Sequence, residues 1–265
     1  MDYMNSTVLY VIPTGRSARN AVNRHRNLKP KYNNEKVSKL IKAVIFDFDG
    51  LMVDTETPAY HAFCKVYGEY GKELPLEMYA QCVGTSFDIF NPYTYLVEIL
   101  QHSVNYEVIR EQVDVQYREL LQHIQPRPGV VNYLKEARDM GLKIGLASSS
   151  YFNWIEPYLT RFDLHGYFDS INTADLVQQV KPDPELYLLS LQKLEVKPEE
   201  AVSFEDSLNG FKAAKRAGLH TVIVPNEMTS TFPFEFYDMK IPSMEAVELK
   251  ELVKQLEKRD IARKL

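Results

Sequence analysis

From residue 126 onward, short β-branched runs alternate with segments of helical period, and this alternation limits the possible folds more than any other feature of the chain. "LKIGLAS" (142–148), "YFDSINTA" (167–174), "EAVSFED" (200–206) and "LHTVIVP" (219–225) read as strands. Between them lie helices: one around Trp154 to Phe162, "DPELYLLSLQKL" (183–194), and "SLNGFKAAKRAG" (207–218), closed by Gly218. A further helix through Val130, Tyr133, Leu134 and Ala137 stops at Gly141, and a last one is expected near 245–257. Upstream, "KAVIFDF" (42–48) stays apolar until its acids and predicts a buried strand. Such an alternation predicts an α/β chain built on a Rossmann-like parallel sheet with helices on both faces.

One block interrupts the alternation. Residues 59–123 carry no strand signal; "AYHAFCKVYGEYG", "PLEMYAQCV", "FNPYTYLVEILQH" and "YEVIREQVDVQYRELLQHI" are successive amphipathic helices separated by Gly71, Pro75, Gly84 and Pro92. The expected organisation is a core of residues 41–58 and 126–265, with residues 59–125 inserted after the first core strand as a helical domain.

Residues 1–40 differ again, because eight Arg and Lys face only Asp2 and Glu35 among polar filler. They read as a poorly ordered basic extension, with an organelle transit peptide or an RNA-tethering arm as alternatives. The formal net charge of -5 gives no electrostatic reason to expect a nucleic-acid partner. No apolar run approaches a bilayer span, so no membrane is implied. Cys64 and Cys82 lack metal-ligand spacing and read as reduced, buried fillers in a cytoplasmic protein.

In an open parallel sheet, ligands gather where the strands end at their carboxyl side. Four polar signatures fall there: "DFDG" (47–50), "ASSS" (147–150), "VKPDP" (180–184) and "FEDS" (204–207). Each alone has a plainer reading. Asp-x-Asp-Gly can be a turn, the serines a helix N-cap, Lys181 a solvated loop residue, and Glu205-Asp206 acids near a helix start. Together they would put Asp47, Asp49, Glu205, Asp206, Lys181 and Ser148 on one edge. Four carboxylates in one cleft repel unless a hard cation sits among them, and an all-oxygen set points to magnesium. A divalent ion, a lysine and a hydroxyl also make a phosphate site.

With these motifs in order, "DFDGLMVDTE", "GLASSS", "VKPDPELY" and "FEDSLNG", the chain over residues 41–226 resembles the haloacid dehalogenase-like hydrolases. The similarity is to their helical-cap phosphatase and β-phosphoglucomutase-like branch. The resemblance implies that Asp47 is the nucleophile, forming an aspartyl-phosphate, and that Asp49 is the general acid and then the general base. It implies Mg2+ held by Asp47, the Asp49 backbone carbonyl and Asp206, with Glu205 direct or through water. Ser148 and the backbone N–H of Ser149 would bind phosphoryl oxygens, and Lys181 would offset their charge. Asp54 would order the turn after the first strand.

The dehalogenases of the family lack the second aspartate, so Asp49 points to phosphoryl transfer. Where the mutases carry a histidine and a helical-insert arginine, this chain has Ala59 and Phe87, which favours hydrolysis over isomerisation. The expected substrate is a small phosphomonoester of the sugar or polyol type, selected by residues near 57–60 and 84–90, with Tyr60, Phe87 and Phe90 as an apolar wall. A sugar-phosphate mutase is the alternative, and a non-catalytic binding relative a further one. Trp154 and the stripe Tyr106, Ile109, Val113, Tyr117, Leu120 and Leu121 read as packing. The chain is expected to be a monomer or weak homodimer.

Overall fold

A computed structural model describes residues 41–83, 89–101 and 103–264. The basic extension (1–40) and the positions Gly84 and Phe87 lie outside the described residues. Six strands form one parallel sheet in the order β3-β2-β1-β4-β5-β6. They are β1 (Ala43–Phe46), β2 (Lys143–Ala147), β3 (Ser170–Asn172), β4 (Ala201–Glu205), β5 (His220–Ile223) and β6 (Met239–Lys240). The two-residue β6 carries too little pattern to be read from sequence, and it forms an edge beside β5.

The sheet is buried on both faces, which is why its central strands are apolar throughout. Within β1, Val44 and Phe46 point into one core cluster and Ala43 and Ile45 into another. On the first face Phe46 stacks on Phe204 with ring centroids 5.0 Å apart, and Tyr133 meets Phe204 edge-on. This face is covered by α5 (Val130–Asp139), α6 (Phe152–Arg161) and α9 (Leu249–Lys264) through Leu134, Ile155, Leu159, Leu252 and Leu256. Cutting Phe46 to alanine here would cost roughly 3–5 kcal/mol in lost transfer energy and cavity. The other face receives α7 (Glu185–Leu194) and α8 (Leu208–Arg216), whose Leu186, Leu191, Ala213 and Ala214 pack on Ile45. Gly145 lets α7 come close, since a Cβ there would lie 3.0 Å from Leu194. The last helix starts later and runs further than 245–257. Its first turns are laced by i, i+3 and i, i+4 contacts, Lys254–Glu251 and Gln255–Glu251.

Between β1 and β2 lie α1 (Glu56–Glu69), α2 (Leu76–Tyr79), α3 (Pro92–Ile99) and α4 (Tyr106–Leu121). They share their own cluster, with Phe63, Tyr67, Leu96, Ile109 and Val113 buried at its centre. Leu120 is exposed instead of joining the packed stripe, because it falls off the face of α4 that turns toward α1. The segment read as a nine-residue helix at 75–83 keeps only four helical residues after Pro75. The two strands of chain that enter and leave this block run side by side, with Val53 bridged to Pro126 and Arg127 N–H donating to the Met52 carbonyl at 2.8 Å. Among the described residues, no helix is long and apolar enough to cross a membrane.

Candidate active site

Register brings the motifs together. Phe46 pairs with Leu146 on one side and Phe204 on the other, so Asp47, Ser148 and Glu205 leave the sheet at nearly one level. The Asp47 N–H still donates to the Phe204 carbonyl at 3.1 Å, which fixes the first acid against the end of β4. Gly50 then turns at φ +78, a conformation that glycine adopts without steric cost. Its missing Cβ also leaves room, since an added one would lie 2.3 Å from Asp206 Oδ2.

Asp47, Glu205 and Asp206 are all buried, and their ligand oxygens lie within 4.8 Å of one another. Lys181 is buried against them. Its Nζ donates to Glu205 Oε1 at 2.7 Å and bonds Asp47 at a shorter distance. The Tyr187 hydroxyl also donates to Glu205 Oε1, while Asn226 Nδ2 donates to Asp206 Oδ2 at 2.8 Å. Asp206 Oδ1 and Glu205 Oε2 are buried and have no hydrogen-bond partner among the described residues. Burial pushes the Asp47 carboxyl up to about 8, with Lys181 opposing and Glu205 adding to the rise. Burial, then Asp47 and Glu205, hold Asp206 well above the usual carboxylate range. One ammonium therefore does not balance three buried carboxylates, and two of their oxygens still have lone pairs to offer. This all-oxygen donor set fits a hard divalent cation.

Asp49 stands apart from that cluster and is held by donors. Thr55 Oγ1 and Trp154 Nε1 donate to its Oδ1 at 3.0 and 2.8 Å, and Ser150 Oγ donates to its Oδ2 at 2.6 Å. Ser148 is buried with its Oγ 3.5 Å from the same Oδ2, and that Oγ accepts the Ser150 N–H at 3.0 Å. Ser149 is exposed and lines the cavity. Asp54 accepts from Thr57 N–H and Oγ1 at 3.0 and 2.8 Å and so shapes the turn into α1.

A cavity of about 820 Å³ opens above these groups, and Asp47, Asp49, Ser148, Ser149, Lys181 and Asp206 all line it. Its roof comes from the helical block, mainly Phe63, Tyr79, Tyr93, Val113 and Tyr117, with Glu56 and Asp114 as acids. Tyr60 and Phe90 do not form that wall. The Tyr60 hydroxyl is turned to the Leu74 carbonyl, and Phe90 packs into the helical cluster. Burial raises Glu56 to about 7, with Asp49 and Asp54 adding to the rise.

Several supporting residues were not among the sequence expectations. Tyr187, Asn226 and Arg127 each bond at the site's margin; Arg127 donates to the carbonyls of Gly50, Val224 and Pro225 at 2.6, 3.1 and 2.8 Å. "QPRPG" signals only a turn, and an arginine between two prolines there was the one available hint. Trp154 packs as expected, but its ring nitrogen serves Asp49.

Residues 44–224 match the family described as haloacid dehalogenase-like hydrolase. YhcW of Bacillus subtilis (strain 168) is 45% identical over 217 residues, spanning 82% of this chain and 98% of its own. The phosphorylated carbohydrates phosphatase of Thermotoga maritima is 34% identical over 183 residues, covering 69% of this chain and 84% of that protein. Among solved structures, CbbY from Rhodobacter sphaeroides in complex with phosphate is 28% identical with a TM-score of 0.58, covering 77% of this chain and 95% of that one. The chain belongs to the haloacid dehalogenase-like hydrolases.

Proposed function

We propose that this protein is a magnesium-dependent phosphatase that hydrolyses a small phosphomonoester of the sugar or polyol type through an aspartyl-phosphate. The observation that carries the reading is the buried cluster of Asp47, Glu205 and Asp206 around Lys181 at the floor of the cavity. The likeness to a phosphatase named for phosphorylated carbohydrates supports the substrate class. Ala59, at the cavity edge where a mutase would carry histidine, supports hydrolysis over isomerisation.

In this reading Asp47 attacks phosphorus, and the P–O bond to the alcohol breaks as the Asp49 carboxyl gives that oxygen its proton. Asp49 then takes a proton from the water that cleaves the acyl-phosphate, which restores both acids. Ser148 Oγ and the Ser149 N–H hold phosphoryl oxygens while Lys181 offsets their spreading charge. Asp47 and Asp206, with the Asp49 carbonyl and Glu205, would hold magnesium, which when bound lowers the repulsion between the attacking carboxylate and the phosphoryl dianion. The helical residues 59–125 act as a cap domain over the core of 41–58 and 126–265, and they choose the alcohol. A cytoplasmic setting, with a monomer or weak homodimer, completes the proposal; Cys64 and Cys82, which are not joined in a disulfide, agree with a reducing compartment.

The test is phosphate release from a panel of sugar and polyol phosphates, with and without magnesium, beside Asp47→Asn. Release that needs both metal and Asp47 supports hydrolysis. Turnover of a hexose phosphate without phosphate release would instead support a mutase.

A further inference from the structure

Trp154 sits on α6, four residues past the "ASSS" strand end, and is the only tryptophan of the chain. Its indole N–H donates to Asp49 Oδ1 at 2.8 Å. The second donor to that oxygen is Thr55 Oγ1 at 3.0 Å. Both donors are touched by one residue of the helical block. The ring of Tyr117, on α4, stacks over Trp154 with centroids 6.3 Å apart and planes 21° from parallel. The Tyr117 hydroxyl donates to the Thr55 carbonyl at 3.2 Å. On its other flank Trp154 meets Tyr158 edge-on, a contact that sets the indole plane from within the core.

A carboxyl group that passes protons must present one oxygen to the leaving group at a fixed angle, and a half-buried aspartate has two torsions to lose. Serine and threonine hydroxyls can rotate away; an indole N–H whose ring is stacked on Tyr117 and met edge-on by Tyr158 is held in one orientation. We propose that Trp154 is a positioning residue for Asp49, and that Tyr117 couples its placement to the seat of α4 on the core. Asp49 is then aligned when Tyr117 lies on Trp154 and Thr55, and loses its guide at Oδ1 when that contact opens. This inference rests on the reading of Asp49 as the proton-transferring acid.

The experiment compares Trp154→Phe with wild type on two esters in the presence of magnesium. One is glycerol phosphate or the best sugar phosphate, whose alkoxide must be protonated as it leaves. The other is p-nitrophenyl phosphate, whose leaving group needs little help. The quantity read is kcat/KM, which stops at the first irreversible step, transfer to Asp47. Trp154→Phe is expected to lose roughly tenfold on the alkyl ester and less than about twofold on the aryl ester. Tyr117→Leu is expected to produce the same selective loss, and the double variant to lose no more than either single one. Equal losses on both esters, a loss confined to the aryl ester, or no loss at all would overturn the positioning role. Additive losses in the double variant would overturn the coupling to Tyr117. Should Trp154→Phe fail to fold, Tyr117→Leu, which leaves the indole N–H in place but removes the ring stacked on it, is read in the same way. Asp49→Asn separates this inference from its premise: if that variant shows no leaving-group selectivity, the role of Asp49 fails first.

Discussion

Lys181 Nζ lies 2.7 Å from Glu205 Oε1 while also bonding Asp47, so one buried ammonium serves two members of a three-carboxylate cluster. Removing one partner of a buried ion pair leaves the other charges without compensation. Lys181→Met, which keeps the stem and deletes the charge, is therefore expected to cost roughly 3–5 kcal/mol of stability without magnesium. Adding magnesium should recover part of the loss, since the cation replaces the missing positive charge. Urea unfolding of both proteins, with and without the metal, checks this. Equal stability of variant and wild type without magnesium would show that the carboxylates do not need the lysine.

Glu56 offers a pH test away from the cluster. Burial raises its carboxyl from an ordinary 4.5 to about 7. The folded chain then binds this proton more tightly than the unfolded chain does. Its contribution is fully present below about 4.5 and is lost as the pH rises through about 7. Glutamine mimics the protonated acid at every pH. Glu56→Gln should match wild type near pH 5 and exceed it at pH 8 by on the order of 1–2 kcal/mol, allowing for the partial exposure of Glu56 to the cavity. Denaturant titrations at the two pH values, without magnesium, decide it; a difference that does not change with pH would refute the assignment.

Much of the site was legible because it lies at strand ends. Parallel strands in adjacent register must deliver their next residues to one edge, so "DFDG", "ASSS" and "FEDS" meet whatever the loops do. Lys181 was legible only as part of the set; its position depends on a loop, and no periodicity specifies where a loop lysine goes. The residues that were missed serve through tertiary neighbours. Tyr187 falls on the apolar face of α7 and reads as core; its ring is buried there, and only the fold shows its hydroxyl on Glu205. Trp154 likewise has a ring that packs and one nitrogen that does not. The cavity roof was misread at Tyr60 and Phe90 because helical period tells which face is apolar, not whether that face meets a cavity or another helix.

Gly210 sets two effects against each other. It lies inside α8, where alanine normally gains up to about 1 kcal/mol over glycine. An added Cβ would lie 1.9 Å from Glu205 Oε2, and Glu205 cannot retreat because Lys181 and Tyr187 hold its other oxygen. The steric term should win. Gly210→Ala is expected to destabilise by about 1–3 kcal/mol, the usual cost of overpacking, and to weaken magnesium dependence by displacing a ligand oxygen. Thermal unfolding gives the first quantity and a magnesium titration of activity the second. A stabilised, fully active variant would mean that the helix start can shift to make room.

Arg127 tests whether the loop geometry behind the site matters as much as the acids themselves. Its guanidinium spans the carbonyls of Gly50, Val224 and Pro225, tying the turn after β1 to the segment after β5. Asn226 reinforces the tie by donating to both the Gly50 carbonyl and Asp206. A lysine at 127 keeps the charge but lacks the planar fork, so it can reach at most part of this set. Each abandoned buried carbonyl costs about 1 kcal/mol or more. Arg127→Lys is thus expected to lose roughly 2 kcal/mol in urea unfolding. It should also require more magnesium for half-maximal activity, because Asn226 and Asp206 share the loosened turn. Unchanged metal dependence together with the stability loss would confine Arg127 to holding the fold, and neither effect would mean that the three carbonyls find other partners.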